Sequence, residues 1–173
     1  MFIYNKKLQY PVKIYKPNPR LASIIISQYG GPDGELGASL RYLSQLYSMP
    51  FDDLKGLLTD IGTEELGHLE MIGAIVHQLT RNMKDSQIQD SAFAPYFVDH
   101  TAGVYPTAAS GFPWSAASMA VKGDPIADLT EDLAADATTT KEQPAFSSAR
   151  KPLILLAFRQ FEAFRKNGLP ATI

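Results

Sequence analysis

The chain has 173 residues, a formal net charge of −2 and no cysteine. This length suits a single domain over residues 1–173, and the lack of cysteine excludes disulfides, thiolate metal sites and cysteine nucleophiles. No basic block is dense enough for nucleic-acid binding, and no apolar stretch suits a secretion signal or a membrane span. These features fit an intracellular, cytoplasmic protein that contacts neither nucleic acid nor membrane.

Residues 1–17 are predicted to form an extended arm, of the kind that often wraps a neighbouring subunit. Apolar residues alternate along it as they do in a strand, namely Leu8, Tyr10, Val12 and Ile14. A helix should begin at Asn18-Pro19, because asparagine caps helix starts and proline is favoured at the first helical position. The Gly30-Gly31-Pro32 sequence should break it.

Two further helices are predicted before residue 83. Asp33 is a suitable N-cap for a helix that reaches about Tyr47. The next helix should run from about Pro50 to Arg81, with Asn82 as its cap. Its apolar residues recur at helical spacing and form one stripe: Leu54, Leu58, Ile61, Ile72, Ile75 and Leu79.

Glu65 and His68 lie in the phase of this stripe and form Glu-x-x-His. The spacing places both side chains on one helix face, one turn apart. A carboxylate and an imidazole in a hydrophobic seam are costly unless compensated. A bound metal would compensate them, and paired Glu-x-x-His helices hold two metals in four-helix bundles. The motif also occurs often by chance on exposed faces, and the phase brings the metal interpretation to equal standing with that one.

The second half of the chain predicts a long connection and two more helices. Residues 84–123 should form a crossover loop that covers one end of the molecule, because a structureless loop of this size is unusual in a compact domain. A helix should start at Asp124-Pro125. The helical pattern fails after Asp136, so residues 136–173 form an atypical tail with a final apolar helix over 150–167. Taken together, the predicted helices and connections indicate an all-α, antiparallel four-helix bundle with a long crossover.

Two other acidic residues share a phase with apolar positions. Glu35 lies near the start of its helix on the same face as Tyr42, and a first-turn carboxylate that complements the helix dipole is an equal alternative. Asp136 continues the stripe of Ile126, Leu129 and Leu133, and a frayed helix end is its alternative. His77 lies about 180° around the helix from His68.

Several segments of the chain resemble the manganese catalase family. They include Gly-Gly-Pro-Asp-Gly-Glu-Leu at 30–36, Arg-Tyr-Leu-Ser-Gln at 41–45, Thr-Asp-Ile-Gly-Thr-Glu-Glu-Leu-Gly-His at 59–68, and the segments 99–106 and 124–135. The resemblance covers residues 1 to about 135. Within the family it points to the branch of CotJC-type spore-coat proteins of endospore-forming bacteria.

The resemblance implies a ferritin-like bundle with two manganese ions that disproportionates hydrogen peroxide to water and dioxygen. It implies a homo-oligomer, commonly a hexamer, and for the spore-coat branch deposition in the coat beside other coat proteins. Glu35 matches a bridging ligand, Glu65 and His68 match the second-helix ligands, and Asp136 stands where the family has a glutamate ligand. Tyr42 matches a tyrosine that supports catalysis from outside the ligand set. Iron also suits oxygen and imidazole ligands, so the choice of manganese rests on the resemblance.

The tail departs from the family, whose fourth helix supplies a second Glu-x-x-His. Aligning through Phe158 places Ile154 and Ala157 at those positions, whereas another alignment places Glu162 and Arg165 there. No histidine follows His100. We therefore expect one tightly bound metal at most. The second interpretation is a structural spore-coat or assembly protein with an incomplete, catalytically impaired site. The tail itself is consistent with a frameshift or with extreme divergence.

Overall fold

The computed structural model describes residues 5, 7–8, 10–91, 94 and 107–142, with the backbone alone at 88 and 136–142. Its α-helices, in chain order, are α1 (Pro19–Ile25), α2 (Ser27–Gly30), α3 (Glu35–Gln45), α4 (Asp52–Thr80), α5 (Asp85–Gln89) and α6 (Pro125–Glu142). Short 3₁₀ helices lie at Leu46–Ser48 and Ala116–Ser118. Across these residues the only bridge is the isolated pair Thr107 and Pro113. The prediction of an all-helical chain is confirmed.

The ends of α1, α4 and α6 lie where the capping residues predicted them, whereas α3 begins at Glu35, two residues after the predicted N-cap Asp33. Oδ1 of Asn18 accepts from the N–H of Leu21 at 3.0 Å, directly before α1. Oδ1 of Asp124 accepts from the N–H groups of Ile126 and Ala127 at the start of α6. Asn82 follows α4 with a φ of 58°, the left-handed conformation common after helices.

α6 runs further than the sequence pattern indicated. The pattern fails after Asp136, yet the backbone stays helical to Glu142. The threonines at 138–140 lower helix propensity by only a few tenths of a kcal/mol each, roughly, and no proline interrupts the helix before Pro144. The predicted crossover also holds the short helix α5. The expected final helix over 150–167 lies outside the described residues.

The arm is not a strand over the described residues from Tyr10 to Pro17. The amide of Ile14 donates to Oε1 of Gln78 at 2.8 Å, and Nε2 of Gln78 donates to the carbonyl of Val12 at 3.0 Å. Nη2 of Arg81 donates to the carbonyl of Ile14 at 2.5 Å. Because Gln78 of α4 and Arg81 just after it bind these backbone groups, the arm lies along its own chain's helix, and its described residues have no strand partner.

The chain divides into two compact units. The first comprises residues 1–37 and 65–116, and the second comprises residues 38–64 and 117–173. The first unit buries an apolar cluster formed by Ala22, Ile26, Ile72, Val76 and Leu79. The second buries another, formed by Ala38, Tyr42, Met49, Leu54, Leu58, Ile61 and Leu129. That residues 1–173 form a single domain remains a prediction.

Five of the six residues of the predicted α4 stripe are buried, and Ile75 is half-buried against the apolar cluster of the first unit. Leu54, Leu58 and Ile61 are at most 2% exposed, as are Ile72 and Leu79. Burying an aliphatic side chain of this size contributes about 1.5–3 kcal/mol. The stripe therefore supplies much of the apolar surface that fixes the rotation of α4, and with it the direction in which Glu65 and His68 point.

Candidate metal centre

Glu65 and His68 interrupt the stripe and are buried with it. Glu65 is 0% exposed and His68 is 5% exposed. Nδ1 of His68 lies 2.7 Å from Oε2 of Glu65, across one helical turn. Their burial shows that the pair does not lie on a solvated helix face. Two ionisable groups in such a position need compensation from each other or from a cation.

Glu35 is the first residue of α3, and a tight glycine turn precedes it. A Cβ added at Gly31 would lie 2.6 Å from the carbonyl oxygen of Ser27, and one added at Gly34 would lie 2.8 Å from the same oxygen. Only glycine allows the backbone to pass so close to α2. The turn therefore fixes where α3 begins, and Glu35 is 1% exposed there.

The structure brings Glu35 together with Glu65 and His68. One ligand atom from each residue lies within 4.8 Å of the other two. Within the part of the chain that the structure describes, this is the only group of three or more potential metal ligands of this kind. All three residues belong to the first unit. Residues 30 positions apart in sequence thus present two carboxylates and one imidazole to one buried point.

The donor set fits a divalent transition metal. Carboxylate oxygens suit manganese and imidazole suits iron and other transition metals, while the chain offers no thiolate to select a softer ion. Two carboxylates at close range repel each other in a low-dielectric interior, and a cation between them would turn that repulsion into attraction. The three residues therefore fit one metal ion held by protein ligands.

The structure describes only some of the other predicted site residues. Tyr42 is 1% exposed and belongs to the apolar cluster of the second unit. Its expected convergence with the three ligand candidates stays a prediction. Asp136 lies in α6, but its side chain is outside the described part, as are the positions at 154, 157, 162 and 165. His77 is exposed, as its phase predicted.

Asp132 is a buried carboxyl that the sequence analysis did not identify. It is 0% exposed, and neither of its carboxylate oxygens has a hydrogen-bond partner among the described residues. Burial raises the pKa of Asp132 to about 7. The Gln45 side chain and the Arg41 guanidinium oppose this rise, while the carboxylates of Asp128 and Glu131 add to it.

Gln45 lies beside Asp132 but its amide is committed elsewhere. Nε2 of Gln45 donates to the carbonyl of Ala120 at 2.7 Å, and Oε1 has no donor among the described residues. The Gln45 side chain favours the charged carboxylate and so lowers the pKa of Asp132. The sequence signal for this group was the spacing of Asp128 and Asp132 beside the α6 stripe.

Asp128 is the second buried acid of α6 and has a structural role. Its Oδ1 accepts from the N–H of Lys122 at 2.7 Å, and its Oδ2 accepts from the N–H of Gly123 at 3.1 Å. Gly123 adopts a φ of 75°, a conformation that glycine tolerates best. The carboxylate thus holds the turn that leads into α6.

Comparison with known proteins identifies the class to which this helical chain and its carboxylate-histidine cluster belong. The family model for manganese-containing catalases matches residues 1–144. The chain therefore belongs to the manganese-containing catalase family, and that family implies manganese as the metal. The described residues include no helix that is both long enough and apolar enough to cross a membrane.

Three individual proteins are similar to the chain over most of its length. Protein CotJC of Bacillus subtilis is 51% identical over 79% of this chain and 71% of its own length. A probable manganese catalase of Clostridium acetobutylicum is 33% identical, and a manganese catalase of Bacillus subtilis is 30% identical. Each of these two matches covers 79% of this chain. The matches span 61% of the Clostridium protein and 55% of the Bacillus protein.

A solved structure supports the fold. The crystal structure of KatB, a manganese catalase from Anabaena, is similar with a TM-score of 0.70 and 27% sequence identity. The match covers 96% of this chain and 77% of that one. Manganese catalases have the ferritin-like helical bundle fold, so the predicted fold class is confirmed.

Proposed function

We propose that this protein binds manganese at Glu35, Glu65 and His68 and disproportionates hydrogen peroxide to water and dioxygen. The observation that carries the proposal is the buried group of two carboxylates and one imidazole, whose potential ligand atoms lie within 4.8 Å of one another. Family membership supports both the metal and the substrate. Such a group is costly to bury without a cation, which is the physical reason to assign it a metal.

The three residues would have distinct roles. His68 would bind through a neutral ring nitrogen, and Glu65 would bind from the preceding turn of the same helix. Glu35 comes from a different element, and its two oxygens allow it to bind one ion or to bridge two. Bound manganese would donate the electrons that one peroxide gains and accept the electrons that the other peroxide loses. Asp136 is proposed as a further ligand, and Tyr42 as a contributor from outside the ligand set.

Burial shapes the chemistry that these residues can support. Glu35 and Glu65 are at most 1% exposed, so charges at the site are weakly screened and the carboxylates attract a cation strongly. The reaction 2 H₂O₂ → 2 H₂O + O₂ needs no net proton from solvent, because the protons lost by one peroxide are consumed by the other. Carboxylate oxygens at the site would hold protons between the two half-reactions.

Oxygen release from peroxide tests the proposal directly. The purified protein would be loaded with manganese, freed of excess metal and assayed with an oxygen electrode. We expect Glu35→Gln and His68→Gln to reduce the rate by at least about tenfold, since loss of one ligand weakens metal binding and alters the remaining coordination. His77→Gln is the matched control, because His77 is an exposed histidine of the same helix.

A second candidate function is that of a structural spore-coat or assembly protein with an impaired site. The observation that favours it is the tail, where no histidine follows His100 and the family's second Glu-x-x-His is missing. The similarity to CotJC is consistent with a place in the spore coat. Retention of manganese without oxygen release above that of free manganese would favour this function over catalysis.

Assembly follows from the same family membership. We propose that the chain forms a homo-oligomer, with a hexamer as the expected state, and that it contacts other spore-coat proteins when deposited. Light scattering coupled to size-exclusion chromatography measures the first point. A mass equal to one 19.0 kDa chain at micromolar concentration would contradict it.

A further inference from the structure

A groove between the arm and the last turn of α4 collects three basic side chains. Its volume is about 410 Å³, and its walls include Lys13 and Tyr15 from the arm and His77, Gln78 and Arg81 from α4 and the residue after it. All of these residues belong to the first unit. The volume lies within the range of small-molecule sites, about 300–1,000 Å³.

The groove is built by specific contacts. Gln78 binds the arm through both ends of its amide, accepting from Ile14 and donating to the carbonyl of Val12. Arg81 donates to the carbonyl of Ile14. These contacts hold the arm along α4, where Val12 and Ile14 are half-buried, whereas Lys13 and Tyr15 are exposed and line the groove. Tyr15 is 85% exposed.

The basic side chains are not neutralised by neighbouring acids. Among the described residues, no carboxylate forms an ion pair with Lys13, His77 or Arg81. Arg81 uses one N–H on the arm, and a guanidinium has five. Lys13 adds three N–H donors and His77 adds a ring N–H. Over the described residues, the groove therefore holds more donors and more positive charge than neighbouring groups bind or neutralise.

Helix capping is the competing explanation for these cations, because basic residues suit the negative end of a helix dipole. However, other groups already bind carbonyls in the last turns of α4. The carbonyl of Leu79 accepts from the amide of Asn18 at 2.7 Å, and the hydroxyl of Thr80 donates to the carbonyl of Val76 at 3.0 Å. The dipole amounts to about half a negative charge, which two permanent cations outweigh.

We propose that this groove binds the phosphate group of a phosphomonoester. Arg81 and Lys13 would pair with the anion, His77 would donate a ring N–H to it, and the ring of Tyr15 would contact the organic part. A phosphate ester carries up to two negative charges and three acceptor oxygens, which match the three basic side chains that line the groove better than the single charge of a carboxylate does. This site is independent of the proposed metal centre.

Phenyl phosphate is the probe for the experiment, titrated into the full-length protein by calorimetry at low salt. We expect saturable binding with a Kd of about 1 mM or tighter. Lys13→Gln and His77→Gln should each raise the Kd by about fivefold, the loss of one charged or strong donor. Lys16→Gln is the matched control, since Lys16 is an exposed lysine of the same arm that does not line the groove, and it should leave the Kd unchanged.

Two further ligands distinguish a phosphate ester from free phosphate and from a carboxylate. Inorganic phosphate should bind more weakly than phenyl phosphate, because it has no ring for Tyr15 to contact. Benzoate should bind more weakly than either. Absence of saturable binding of phenyl phosphate, tighter binding of benzoate, or an equal loss in the Lys16→Gln variant would each overturn the proposal. Circular dichroism of the variants checks that the helices are intact.

Discussion

Nδ1 of His68 lies 2.7 Å from Oε2 of Glu65, with both side chains buried on one face of α4. At this distance a proton or a metal ion can join the two groups. Glu35 brings a second carboxylate to the same point from the start of α3. The pair alone is a buried hydrogen bond, whereas the third residue makes the group a set of three potential metal ligands.

Removing a ligand should lower manganese retention. We expect the wild-type protein to keep about one equivalent after dialysis against metal-free buffer, and Glu65→Gln or His68→Gln to lower manganese affinity at least about tenfold. Mass spectrometry of the metal content measures this. Glu64→Gln and His77→Gln make the same chemical changes at neighbouring positions outside the cluster and should retain the metal.

The stoichiometry also tests the contribution of the tail. Two retained manganese ions per chain would contradict our expectation of one tight site. That result would require further ligands from the third helix or from beyond Asp136. Equal loss of metal in the control variants would show that Glu65 and His68 are not its specific ligands.

Asp132 should make stability depend on pH in a direction opposite to the usual carboxylate. Burial raises its folded-state pKa to about 7, above the ordinary value near 3.9 in the unfolded chain. The folded state therefore binds the proton of Asp132 more tightly than the unfolded chain does. The resulting contribution to the free energy of unfolding is fully present below about pH 4. It is lost as the pH rises to about 7, with an upper limit of roughly 4 kcal/mol.

The variant Asp132→Asn isolates this effect because its side chain cannot ionise. As the pH rises from 5 to 8, we expect the unfolding free energy of the wild type to fall relative to that of Asp132→Asn. Urea denaturation at several pH values measures it. A difference that does not change over this range would show that Asp132 has an ordinary pKa in the folded protein.

Two glycines of α4 provide a matched pair of substitutions. A Cβ at Gly62 would lie 2.8 Å from Cγ of Leu43 and 3.3 Å from the carbonyl oxygen of Ser39. Gly62→Ala should therefore destabilise the protein by about 1–3 kcal/mol. No atom lies within 4 Å of a Cβ at Gly56, so Gly56→Ala should stabilise it by up to about 1 kcal/mol through helix propensity. Chemical denaturation compares them.

Gln78 should control the order of the arm. Gln78→Ala removes the acceptor for the Ile14 amide and the donor to the Val12 carbonyl. We expect faster hydrogen exchange at Ile14, with a loss of protection of roughly 1–2 kcal/mol. Gln89→Ala, in the exposed end of α5, is the control. Unchanged exchange at Ile14 would mean that other contacts hold the arm.

Local chemistry determined the helix boundaries and the orientation of α4. Asn18 and Asp124 accept hydrogen bonds from the next turn, a short-range interaction that sequence displays directly. The α4 stripe has helical periodicity, so the burial of Glu65 and His68 followed from their phase. The family motifs at 30–36, 41–45 and 59–68 supplied the metal and the expected chemistry, which periodicity alone does not contain.

Tertiary structure decided what depends on contacts between distant residues. Glu35 fitted a dipole-favouring carboxylate equally well, until the fold placed it beside residues 30 and more positions away. Asp132 is one of several acids in an amphipathic helix, and only packing shows which of them loses its water. The arm showed strand-like alternation, but the described part of its backbone bonds to the side chains of Gln78 and Arg81. Burial and pairing of this kind depend on the whole fold, whereas caps and helical phase are properties of a few neighbouring residues.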